Sequence, residues 1–193
     1  VHLRLHTEYS ITDGLVRVEP PKRKGVEGAT LATHAARLGM PAIALTDRMN
    51  LFAMVKFYKS SEAAGIKPVV GCDLRLTEGQ KGEPPERLTL LVQNEAGYRN
   101  LTRLISQGYT DGQGSGQPLI ERAWLQECAQ GLIALTGRDG AVFRAAAQSN
   151  VEATLEALRD LQQIFPDRLY LEVSRCDRPG DEDWVQAASA LAR

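Results

Sequence analysis

At the start of the chain, two imidazoles and a guanidinium share one side of an alternating segment. His2, Arg4 and His6 interleave with Leu3 and Leu5 in "VHLRLHTEYSITDGL". Imidazoles gathered at a strand end are the donors of a metal site. An arginine among them cannot ligate a cation and repels one nearby. Other polar groups recur at the ends of apolar runs: Asp13 in "TDG", Asp47 and Arg48 in "LTDR", Asp73 in "GCD", Arg138 after "LIALTG", and Ser174, Arg175 and Cys176 after "RLYLEV". A cavity with one histidine, three carboxylates and several arginines is either a weakened metal centre or a set of internal salt bridges.

The elements that must position these groups follow from periodicity. Short β-branched or leucine-rich runs alternate with amphipathic stretches. Strands are expected at 1–6, 41–47, 67–77, 87–93, 131–137 and 168–175. Helices are expected at 30–38, 50–65, 95–109, near 140–148, at 151–164 and over "DWVQAASALAR". Glycines 39 and 65 stop the first two helices. This alternation predicts an α/β fold with a parallel sheet, open or closed into a barrel. Ligands in such folds sit beyond the carboxyl ends of the strands, where the polar groups fall. Three Pro/Gly-rich stretches, 18–28, 78–86 and 110–118, read as solvated connectors, and the last lacks the Gly-Lys-Ser/Thr of a P-loop.

With 43% hydrophobic and 24% charged residues and a net charge of −1, the 193-residue chain has the make-up of an ordinary globular protein. Nothing global draws it to nucleic acid, so any contact with DNA through this segment is expected to be weak or absent. No run is long and apolar enough to span a bilayer. Cys72, Cys128 and Cys176 form no CxxC pair, which argues against a zinc ribbon or disulfide framework and fits a reducing, cytoplasmic setting. The abrupt ends read as those of an excised piece.

The stretches "VHLRLHTEYSITDGL", "MPAIALTDRMNLFAMVKFYKSSEAAGIKPVVGCD", "LTLLVQNEAGYRNLTRLIS", "GLIALTG" and "FPDRLYLEV" resemble the PHP (polymerase and histidinol phosphatase) domain that opens bacterial DNA polymerase III alpha chains. The resemblance covers nearly the whole chain in order. It implies a distorted barrel of about seven β/α units over residues 1–193, cut before its last strand. Active members of the family hold divalent metals at the strand ends and hydrolyse phosphoesters.

Carried over by position, the family's His-x-His falls on Arg4 and His6. A further ligand falls on Asp13, the "TDH" turn on Asp47 and Arg48, an acidic ligand on Asp73, and a late histidine on or near Cys176. About half of the ligand set is therefore missing. The resemblance then implies a vestigial site without catalytic residues, with Arg4 and Arg48 supplying the positive charge through contacts to Asp13, Asp47 or Asp73. A weak single ion at His6, Asp13 and Asp73, or an anion at Arg4, Arg48 and Arg138, stays open. It also implies a parent polymerase using Mg²⁺ in a downstream palm, with the rest of that chain and a proofreading exonuclease subunit as partners. The competing expectation is an active metal-dependent phosphoesterase or 3′–5′ exonuclease.

Other residues have plainer readings. His2 is read as a rim or core residue and His34 as structural; Cys72 and Cys128 are core fillers, and Trp124 and Trp184 pack helices. Asp13 beside Gly14 is equally well a turn residue. The basic triplet at 22–24 is read as solvated.

Overall fold

A computed structural model describes residues 1–20, 28–77, 84–113 and 116–192. The 22–24 triplet and much of the 18–28 and 78–86 connectors lie outside the described residues. The chain forms two compact units that meet in sequence between Asp73 and Leu74, inside one strand.

The first unit holds a 3₁₀ turn at Glu8–Ser10, α1 (Leu31–Arg37), β1 (Ala42–Leu45), α2 (Met54–Ala63) and the first part of β2 (Lys67–Thr77). Thr30 caps α1 by accepting the Thr33 N–H at 3.1 Å. Gly39 and Gly65, both with positive φ, follow α1 and α2. β1 runs parallel to β2, with Ala42 opposite Lys67 and Leu45 opposite Val70. Val18, Ala32, Ala35, Ile43, Leu45, Ala53, Phe57 and Ile66 pack into its core.

Two sequence expectations need correction in this unit. Residues 1–6 are not a regular strand. They run beside β1, where Ala44 N–H donates to His2 O and Thr46 N–H to Leu5 O, both at 2.9 Å. The Leu5 N–H is instead taken by the Thr46 hydroxyl at 2.8 Å, so a side chain interrupts the ladder. Helix α2 begins at Met54 rather than residue 50, because the Asn50 side chain accepts the Phe52 N–H at 3.1 Å and holds the approach as a turn.

The second unit contains the end of β2, β3 (Glu86–Val92), α3 (Glu95–Thr110), β4 (Ile120–Glu121), α4 (Arg122–Cys128), β5 (Leu132–Thr136), α5 (Ala141–Ala147), α6 (Val151–Ile164), β6 (Leu169–Leu171) and α7 (Asp181–Leu191). Asn94 and Asn150 cap α3 and α6, accepting from Gly97 and Ala153. Leu88, Leu90, Leu101, Leu104, Ile120, Leu125, Leu132, Leu161 and Phe165 are buried. Trp184 stacks edge-on with Phe143 at 5.1 Å, as its packing role predicts. Cys72 and Cys128 are buried, while Trp124 is only half-buried.

The sheet is not wholly parallel. β5 pairs parallel with β6 and β4 with the end of β2, but β3 lies antiparallel to β5. β2 ends at Thr77 and β3 starts at Glu86, a gap shorter than the dozen or so residues a parallel crossover needs. The β/α alternation therefore breaks at that point. β6 is shorter than expected, and the segment β4–α4 was not anticipated.

Candidate functional site

The polar cluster of the first unit is assembled by three short pieces: the approach to the 3₁₀ turn, the residues after β1, and the middle of β2. The chain holds Arg48 beside Asp73 through a parallel bridge, in which Asp73 N–H donates to Asp47 O and Met49 N–H to Asp73 O, each at 3.1 Å. The loop carrying Asp13 folds back on the approach segment, with Glu8 N–H donating to Val16 O at 2.9 Å. Gly14 makes this possible, because a Cβ there would lie 1.6 Å from the Thr7 carbonyl oxygen.

Asp73 is the centre of the cluster and only 2% exposed. Arg4 Nη2 donates to its Oδ2 at 2.8 Å. His6 Nε2 lies 3.0 Å from the same oxygen but off a hydrogen-bond direction. Burial opposes ionisation of Asp73. The His6 ring and the Arg4 guanidinium outweigh it and hold the carboxyl below the ordinary aspartate range. On its other edge, His6 Nδ1 is 3.2 Å from Asp13 Oδ2. Arg48 Nη2 pairs with that same Asp13 oxygen, and its Nη1 reaches Thr12 Oγ1 at 3.4 Å.

Asp47 does something different from what its position in the sequence led us to expect. It is buried, and among the described residues its carboxylate oxygens are held by hydroxyls and a backbone N–H rather than by an arginine. Its Oδ1 accepts from the Thr7 N–H and the Ser10 hydroxyl, both at 2.6 Å, and its Oδ2 accepts from the Thr7 hydroxyl at 2.7 Å. Ser10 Oγ in turn accepts the Arg48 N–H at 3.1 Å. Asp47 therefore clamps the 3₁₀ turn. Sequence reading missed Thr7 and Ser10 as its partners, although hydroxyl residues spaced three apart around a turn are a recognisable signal. Beneath them, the buried Cys72 thiol donates to Asp47 O at 3.2 Å, and burial pushes its pKa well up.

The backbone here is strained at two apolar positions. Ile11 has φ 58° and Met49 φ 52°. A side chain larger than glycine in that region costs about 1–3 kcal/mol. The other non-glycine residues with positive φ are aspartates and a serine, which tolerate it better.

Two predicted site residues belong to the second unit and to a separate arrangement. Asp181, at the start of α7, pairs with Arg138 Nη1 through Oδ1. Its Oδ2 accepts the backbone N–H of Cys176 at 2.9 Å and of Arg178 at 3.1 Å. Arg138 also donates to Pro179 O at 2.9 Å and lies over the Phe143 ring. Arg138 is thus a brace between strand end and helix, and Cys176 contributes its N–H, with its thiol exposed. Asp181 was not foreseen. His2 and His34 are exposed.

In this arrangement the first-unit donors do not fit a divalent metal cluster. Arg4 and Arg48 sit on the carboxylate oxygens that would face the ions. His6 turns one ring nitrogen toward Asp13 and the other toward Asp73, so no single ion can use one imidazole nitrogen and both carboxylates. Among the described residues no three His, Cys, Asp or Glu side chains are grouped to hold a metal ion.

Comparison with known proteins matches residues 2–176 to the PHP domain model. The DNA polymerase III subunit alpha of Pseudomonas aeruginosa is 48% identical over 193 residues, covering 100% of this chain and 16% of that protein. The subunit of the same name from Escherichia coli K12 is 43% identical over the same span, again 16% of its length. The chain thus spans about one-sixth of these relatives. Among solved structures, a Bifidobacterium adolescentis protein named provisionally as a metal-dependent phosphoesterase superposes with a TM-score of 0.52 at 11% identity, covering 83% of this chain and 77% of that one. That likeness bears on the fold alone.

Proposed function

The chain belongs to the PHP domain family, and from that premise we propose that it serves in the alpha chain of a replicative DNA polymerase. The parent chain adds nucleotides from dNTPs to a primer 3′ end in the cytoplasm, using carboxylates and Mg²⁺ in a palm outside this segment. This domain does no chemistry of its own. It buttresses the polymerase and gives the proofreading exonuclease subunit a place to dock, with little or no direct grip on DNA. No helix among the described residues is long and apolar enough to cross a membrane.

The observation that carries this reading is the pairing of Arg4 with Asp73 and of Arg48 with Asp13. Carboxylates crowded at a strand end need a cation close by. In active relatives, by resemblance, metals provide it; here two guanidinium groups occupy that place permanently. Hydrolysis by the family's route requires a metal-polarised water, and these residues offer no grouping to hold the metal.

Metal content after dialysis, together with release of phosphate or nucleotides in added manganese or zinc, tests the proposal. The expected result is metal well below one ion per chain and no EDTA-sensitive turnover. Stoichiometric zinc or manganese with turnover that His6→Ala abolishes would establish the phosphoesterase or exonuclease reading instead. Co-purification of the exonuclease subunit with the full polymerase chain, and its loss when this domain is deleted, tests the docking role.

A further inference from the structure

No further inference is drawn: the strongest candidate, the groove between α6, β6 and α7 in the second unit, lined by Leu158, Leu169, Leu171, Val173 and Leu191, carries nothing because nothing in the structure shows what covers it.

Discussion

Two buried aspartates, Asp73 in the first unit and Asp181 in the second, are both held below the ordinary carboxylate range, by opposite means. Asp73 depends on side chains, the His6 ring and the Arg4 guanidinium, working against its own burial. Asp181 is held first by the backbone N–H of Cys176, against some burial, then by the Arg178 N–H, with Arg138 adding charge. Backbone donors are fixed by the course of the chain and survive any substitution of the residues that carry them, except to proline. Side-chain cations disappear with one mutation. The first unit has therefore placed its central charge under the control of single residues, and the second has not.

Arg4→Met breaks the comparison most strongly. It takes the guanidinium away from a buried carboxylate, and loss of one partner of a buried pair costs several kcal/mol. Because Arg4 keeps some exposure, the expected loss is about 3 kcal/mol in chemical denaturation. Arg138→Met is expected to cost less than Arg4→Met in the same assay, because Asp181 keeps both backbone donors; an equal or larger loss would show that the brace depends on its arginine after all. Ser10→Ala removes one of the three donors on Asp47 and should cost about 1.5 kcal/mol. Arg48→Met, at a half-exposed pair, should cost about 0.5–1 kcal/mol, and less in high salt.

Acid titration of stability sharpens the same contrast. The folded pKa of Asp73 is depressed, so its contribution is fully present above the unfolded value of about 4 and is lost as pH falls through the folded value. Arg4→Met should flatten that acid limb, while Arg138→Met should leave most of it, since the backbone donors to Asp181 remain. Unfolding midpoints collected between neutral pH and the onset of acid unfolding measure both.

Local pattern carried much of this into the sequence. β2 falls at Lys67–Thr77 as expected, and α3 and α6 lie within a residue of their predicted spans, because caps and periodicity are properties of neighbouring residues. The antiparallel pairing of β3 with β5 depends on partners distant in sequence, and its local trace is a β2–β3 connection too short for a parallel crossover. β4, two residues long, is too short to show a period. At the site, charge type was legible: arginines where imidazoles belong implied pairs with Asp13, Asp47 or Asp73, and the pairs formed are to Asp13 and Asp73. Direction was not. Asp47 turns to Thr7 and Ser10 rather than to an arginine, and Arg138 and Cys176 gather around Asp181 within the second unit, which only the backbone path decides.

Glu86 adds a last consequence. Its carboxylate pairs with Arg122 of α4 at 2.9 Å through one oxygen and accepts the Ala141 N–H of α5 at 3.1 Å through the other. Each helix has only seven residues, too short to persist alone. Fraying of either exposes the single acid on which both lean. Slow amide exchange in native conditions should therefore report α4 and α5 opening together, as one cooperative breath of the second unit, and Glu86→Gln should quicken both helices by a similar factor.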